Sequence, residues 1–379
     1  MKVFVVGPIY PFRGGIAHSN RILCENLQKK HDVTAISFSR MYPKILYPGK
    51  EQKEVTEDAS FAVKTEYFLD SMNPLTWFKV ADRIKKEQPD WVVFQWWHTF
   101  FAPLYWTIAK FGKNQKTRFS VVCQNVLPHE ESKVHESLTK FFFGKVNYFI
   151  TLSSSDLQIL KKLLPSANAN WITESTYETQ FGQKSSKAEA RKKLGVKGNA
   201  ILFFGFVRPY KGLEFLLRAM PELLKKKHDL TLMIVGEFWN DKKEYFNLMD
   251  ELKIKDHLLI VDRYVANDEV PTYFSAADAV VLPYVSSTES GIIQLAYGLN
   301  TPVITTAVGG NVDLIEHEKT GLLCRPKDPA DLAQTVLSFY QKDLEGPIKK
   351  GMRQNADLFR WTSEKESVFF NQKQSKGKE

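Results

Sequence analysis

Cysteine is scarce: Cys24, Cys123 and Cys324 are the three in 379 residues, far apart and odd in number. Neither a disulfide framework nor a zinc knuckle is indicated, and a reducing compartment is the simpler expectation. Long apolar runs are missing as well. No stretch reaches the roughly 18 apolar residues of a membrane span. The run Val3-Phe4-Val5-Val6 is too short for a signal peptide and reads as a buried first strand. The expectation is a cytoplasmic chain, free or peripheral on the inner face of a membrane. The dinucleotide fingerprint G-x-G-x-x-G does not occur, so a nicotinamide cofactor is unsupported. There is no short-period repeat, no low-complexity tract and no recognised nucleic-acid-binding motif.

What is present is ordinary for a globular protein: 43% hydrophobic and 25% charged residues. The length suggests two domains. Lys plus Arg number 52 against 43 acidic residues, a formal charge of +9. That balance suits an anionic partner such as phosphate or acidic lipid, or simply a solvated basic surface.

Short apolar runs alternate with longer amphipathic stretches. Strands are expected at Lys2–Val6, Val33–Phe38, Trp91–Gln95, Phe119–Cys123 and Tyr148–Leu152. Helices are expected at Ala17–Lys30, Pro74–Lys86, Pro103–Phe111, Ser137–Phe143 and Ser154–Leu164. Residues 165–187 are polar and break the rhythm, so the domain boundary is placed there. Strands then resume at Ala200–Phe204, Leu230–Val235, Leu258–Val261, Ala279–Leu282 and Pro302–Thr305. Helices intervene at Gly212–Lys227, Lys242–Leu252, Asp268–Ser275 and Ile292–Leu299, with the last at about Pro329–Gln341 and Gly346–Phe359. The pattern predicts two doubly wound α/β domains facing across a cleft, spanning 1–170 and 187–345. The helices of 346–379 are expected to pack back toward the first domain. Ligands of such sheets sit at the C-terminal ends of the strands.

Four loops in those positions carry chemistry. Gly14 and Gly15 precede a helix, where backbone amides can approach an anion or sugar closely; a plain tight turn fits too. Gly205-Phe206-Val207-Arg208-Pro209-Tyr210-Lys211 places two cations three residues apart on a loop opening into a helix, which suits a diphosphate or, more plainly, a basic turn. Glu289-Ser290-Gly291 opens an apolar helix. Its amides favour phosphate oxygens, and Glu289 is either a cleft acid or a helix cap. Gly309-Gly310 and Thr320-Gly321 read as turn and close-packing positions.

Taken in order, Gly205, Lys211-Gly212, Val235-Gly236, Ala277-Asp278, Pro283-Tyr284, Ser290-Gly291, Pro302-Val303, Gly309-Gly310 and Thr320-Gly321-Leu322 resemble the retaining glycosyltransferases of family 4, which have the GT-B fold of two Rossmann-like domains. The resemblance implies a nucleotide-sugar donor, UDP- or GDP-linked, and a glycan or lipid-linked acceptor as in polysaccharide biosynthesis. It implies no cofactor. No Asp-x-Asp motif accompanies the donor loops, so no metal is expected. Lys211 matches the family's diphosphate-binding lysine. The usual arginine place holds Phe206, and Arg208 is the substitute. The usual ribose-binding glutamate falls on Gln294. The usual first glutamate falls on Ser286, with Glu289 shifted nearby. Tyr264 lies where the base is held, as a ring stacked on it or as a packed aromatic, and Gly15 lies in a loop that fits the donor side. Catalysis is then assigned to Arg208, Lys211 and Glu289, with Ser290, Gly291 and Gly205 in donor binding. On the acceptor or sugar side, Gly14 belongs to the glycine loop, Gln124 takes the place of a usual histidine, and His129 is a neighbouring candidate. Readings kept beside this one are an inactive nucleotide-sugar binding module and a GT-B sugar-nucleotide epimerase.

Residues 104–118 and 138–148 mix aromatics with lysines. This suits an anionic membrane surface, and it also suits core helices with an exposed basic face.

Overall fold

A computed structural model of the chain describes residues 1–43, 51–54, 61–128, 132–175, 185–239, 241–288 and 290–371. The chain divides into two units. The first is Met1–Ser175 with the segment from Trp361 onward; the second runs from Thr176 to Arg360.

The first unit contains β1 (Lys2–Val6), α1 (Gly15–Leu27), β2 (Asp32–Arg40), β3 (Thr65–Asp70), α2 (Pro74–Glu87), β4 (Trp91–Trp96), α3 (Ala102–Gly112), β5 (Arg118–Cys123), α4 (Lys133–Phe143), β6 (Tyr148–Thr151), α5 (Ser154–Leu163) and β7 (Ala169–Trp171). Its strands form one sheet in the order β3-β2-β1-β4-β5-β6-β7, and every pairing is parallel. Parallel neighbours need long crossovers, which the helices supply. Helices on both faces explain why β4 is buried along its whole length and why Val3 to Val6 are fully buried.

Two strands of this unit escape the sequence reading, as β13 (Leu322–Cys324) does in the second. β7 lies inside the polar stretch taken as a break, and β3 was not expected. Both are edge strands with one neighbour each and partly exposed side chains. They lack the continuous apolar run that marks a central strand.

The second unit contains α6 (Lys187–Leu194), β8 (Ala200–Phe204), α7 (Leu213–Lys226), β9 (Thr231–Val235), α8 (Lys243–Glu251), β10 (Leu258–Val261), α9 (Val270–Ala276), β11 (Ala279–Leu282), α10 (Gly291–Gly298), β12 (Val303–Thr306), α11 (Asn311–Leu314), β13 (Leu322–Cys324), α12 (Pro329–Gln341) and α13 (Glu345–Gln354). The sheet order is β10-β9-β8-β11-β12-β13, again all parallel. The expected last helix is split: after α13 a 3-10 turn covers Ala356–Phe359. Asp278, 5% exposed, ties this unit together. Its carboxylate accepts from Lys187 Nζ at 2.7 Å, Arg191 Nη2 at 2.8 Å, the Ala200 amide at 2.8 Å and Tyr340 Oη at 3.2 Å.

After Trp361 the chain enters the first unit as α14 (Ser363–Phe369). Phe369 and Phe370 are each 1% exposed, with Phe370 at 5.7 Å from Trp91 and 5.2 Å from His31 between ring centroids. Tyr148 Oη donates to the Val368 carbonyl at 2.6 Å, and Glu366 pairs with His31 and Lys30, each at 3.1 Å.

In both sheets the strand order reverses beside the first strand, between β1 and β4 and between β8 and β11. Connections on the two sides of such a reversal leave in opposite directions and open a crevice at the C-terminal strand ends.

Candidate functional site

In the second unit that crevice is bounded by the loops after β8 and β11. The β8 loop begins at Gly205, with φ +98°. A Cβ there would stand 2.9 Å from Lys211 Nζ. Gly212 closes the loop at φ +67°, where a Cβ would meet the Pro283 carbonyl oxygen at 2.0 Å. Val285 N donates to the Tyr210 carbonyl at 2.7 Å, so the β8 and β11 loops are hydrogen-bonded to each other. Gly309, at φ +47°, brings a third loop against them: a Cβ there would lie 1.6 Å from the Ser287 carbonyl oxygen. Gly212 and Gly309 are backbone-packing positions, where only glycine tolerates both the positive φ and the contact, whereas the space beside Gly205 is taken by the Lys211 side chain.

Lys211 is 8% exposed, and its ammonium lies 5.7 Å from the Tyr284 ring centroid. Among the described residues it pairs with no carboxylate. Burial, and then the nearby charge of Arg208, pushes its pKa down to about 8. An ammonium held this way has no counterion among the described residues, and an anion would satisfy it. Arg208 is exposed, with its guanidinium 5.2 Å from the Tyr210 ring and 5.4 Å from the Trp239 ring. Phe206, in the place of the family's usual arginine, is an aromatic partner: its ring lies 4.3 Å from Trp239 and 6.2 Å from Tyr264. Phe206, Trp239 and Tyr264 follow β8, β9 and β10, so they form an aromatic cluster at three adjacent strand ends. Trp239 was not foreseen. Its position depends on the bridge that pairs Val207 with Phe238 beyond the regular strands.

Ser290 is 3% exposed and is the N-cap of α10, and Gly291 is its first residue. The Ser290 hydroxyl donates to Tyr284 Oη at 3.4 Å rather than capping the helix. Gln294 sits one turn on and is fully buried, so its amide faces the interior instead of offering an edge to solvent. Glu289 lies outside the described residues, as does His129. The structure therefore brings Gly205, Arg208, Lys211, Ser290 and Gly291 to one crevice, with Tyr264 at its aromatic side.

In the first unit, Gly7 lets β1 approach β4: a Cβ there would meet Gln95 Cβ at 2.7 Å. Gly14 is the N-cap of α1 at φ +101°, and a Cβ on Gly15 would enter open space. Gln124, at the end of β5, belongs to a polar cluster. Its amide donates to Ser19 Oγ at 2.9 Å and to Gln95 Oε1 and Glu174 Oε1, both at 3.3 Å. Gln95 donates to Asn20 Oδ1 at 3.0 Å, and the Ser19 hydroxyl donates to Glu174. Glu174 and Ser19 also line a small pocket with Ile22, Val122, Trp361 and Phe369. Only Gln124 of this cluster was foreseen, since its members come from four separate segments of chain.

Residues 198–342 match the family described as Glycosyl transferases group 1. An uncharacterized glycosyltransferase of Methanocaldococcus jannaschii is 34% identical over 154 residues, covering 40% of this chain and 38% of that one. YtcC of Bacillus subtilis, named as a glycosyltransferase, is 29% identical over 285 residues, covering 70% of this chain and 69% of its own. The first of these alignments thus spans well under half of its relative's length. Among solved structures, HepE of Anabaena in complex with UDP-glucose aligns with a TM-score of 0.76 at 15% identity, over 98% of this chain and 99% of that one. The fold is GT-B, two Rossmann-like α/β domains.

Proposed function

We propose that the chain transfers a sugar from a nucleoside-diphosphate sugar to a glycan or lipid-linked acceptor, with retention at the anomeric carbon and without a metal. The observation that carries this reading is Lys211: a buried ammonium without a carboxylate partner among the described residues, in a glycine-lined crevice beside the N-terminus of α10. A diphosphate supplies the missing negative charge, and Arg208 and the α10 amides add donors on the same leaving group.

In the transfer, the bond from the anomeric carbon to the diphosphate oxygen breaks while the acceptor oxygen attacks from the same face. The departing diphosphate takes the acceptor proton. Charge grows on the diphosphate as it leaves, which is where fixed cations lower a barrier most. Phe206, Trp239 and Tyr264 offer ring faces to the base. In the first unit, the partly exposed Gln124 and Glu174 offer hydrogen bonds to an acceptor hydroxyl, held in place by the buried Ser19 and Gln95.

The test is release of nucleoside diphosphate from a panel of UDP- and GDP-sugars, with NMR of the product's anomeric configuration. Product of inverted configuration sinks the retaining assignment. Donor binding without release favours the second reading, a non-catalytic nucleotide-sugar module, for which the buried Gln294 speaks.

A further inference from the structure

Helices α2, α3 and α4 of the first unit turn large apolar side chains outward, and these side chains touch one another. Phe78 is 45% exposed and its ring lies 5.1 Å from Phe111, itself 39% exposed. Phe111 is 6.4 Å from Trp106. Trp106 in turn is stacked 4.7 Å from Phe141, which is 46% exposed. The row therefore crosses three helices.

It is not the core side of those helices. Their inward faces are Val80 and Ile84, Leu104 and Ile108, and Thr139 and Phe142, all buried. The outward row continues along the same faces through Leu75, three residues before Phe78 and 77% exposed, and Val134, seven before Phe141 and 64% exposed. Contiguous exposed apolar surface of this kind is costly in water and marks a binding face.

Charge says what it binds. Lys110 lies over two rings of the row, 4.5 Å from the Trp106 centroid and 5.4 Å from that of Phe111. Lys79, Lys113 and Lys140 are exposed close by in sequence. Among the described residues none of these four pairs with a carboxylate, whereas Asp82 on α2 is engaged by Lys86 at 2.7 Å. Aromatic rings with Lys110 over them, and further lysines nearby in sequence that have no carboxylate partner among the described residues, complement a bilayer that carries anionic headgroups.

We propose that this face docks on an anionic lipid bilayer, with Phe78, Phe111, Trp106 and Phe141 at the headgroup boundary and the lysines on lipid phosphates. Docking would bring a lipid-linked acceptor to the enzyme; that consequence rests on the transfer reading above, but the docking does not.

The experiment is co-sedimentation of the full chain with phosphatidylcholine vesicles, with and without about 30% phosphatidylglycerol, at low salt and at about 0.5 M salt. Binding is expected only with the anionic lipid and is expected to fall at least tenfold in high salt. Each lysine near the surface contributes about fivefold to partitioning, so K110E/K140E should reduce binding more than twentyfold. F111S/F141S should reduce it at least tenfold while its thermal unfolding is unchanged. If that double variant does not fold, Leu75→Ser, at a largely solvated position, carries the same expectation of weakened binding. Absence of wild-type binding to anionic vesicles at low salt overturns the proposal. Equal binding to neutral vesicles, or a folded F111S/F141S variant that binds like wild type, overturns it as well. Nucleoside-diphosphate release is measured in parallel in solution: its failure counts against the transfer reading, while vesicle binding alone decides the docking.

Discussion

The ammonium of Lys211 fills the space that a side chain on Gly205 would take, since a Cβ on Gly205 would stand 2.9 Å from Nζ. The two residues act as one device. The glycine removes a side chain, and the lysine brings a charge into the gap six residues later. The gap is too dry for that charge to be comfortable, which gives it a pKa of about 8 instead of the ordinary 10.5.

One prediction concerns the cost of this arrangement. Between pH 8 and 10.5 the unfolded chain binds the proton that the folded chain has given up, so folding stability rises with pH across that window. Below pH 8 the whole penalty is present. Lys211→Met should therefore raise the apo protein's stability at pH 7 by on the order of 1–3 kcal/mol, an increment that shrinks toward pH 10.5. The same variant should lose roughly 10²–10³-fold in turnover. Thermal unfolding and diphosphate release check the two halves, and wild-type turnover in Lys211→Met would remove the lysine from the mechanism.

A pH profile tests the same group without removing it. For the free enzyme, kcat/KM for the donor should fall as pH rises through about 8, because Lys211 loses its charge there. Lys211→Arg keeps its charge throughout that range and should abolish the alkaline limb even if it is slower overall. An unchanged limb in the arginine variant assigns it to another residue.

Trp239 faces Phe206 at 4.3 Å and Arg208 at 5.4 Å, so it supports both the aromatic cluster and the exposed cation. Trp239→Ala should raise donor KM about tenfold, with a smaller effect on kcat. Calorimetric titration with the free nucleoside diphosphate should show the same loss. Equal affinity would reduce Trp239 to a packing residue.

Asp278 predicts a purely structural effect. Replacing it by Ala leaves Lys187 and Arg191 without their common acceptor and strips a partner from the Ala200 amide at the start of β8. The loss should be about 3 kcal/mol, read in denaturant unfolding. Donor KM at low temperature should stay near wild type.

The readable parts of the molecule were those that repeat a local signal. Central strands such as β1, β8 and β11 are short apolar runs, and their limits were found to within a residue or so. The β8 loop was legible because Gly205, Lys211 and Gly212 lie within eight positions of one another. Trp239 was not, since it joins Phe206 only through strand pairing. Glu174 was not either: it stands in a polar stretch, and its partners Ser19 and Gln124 lie 155 and 50 residues away in sequence. β3 and β7 were missed because edge strands do not have to be apolar on both faces.

The return of α14 to the first unit also sets an order of events during synthesis. Phe369 and Phe370 close a core whose other walls, Val3, Val33, Trp91 and Tyr148, are made hundreds of residues earlier. A ribosome translating this message has therefore released the entire second unit before the first can be completed. The later-made unit is the one free to finish first, while the earlier one waits with Trp91 and Tyr148 uncovered. A chain cut short at residue 360 would never leave that waiting state, and it is the form in which chaperones should be found most firmly attached.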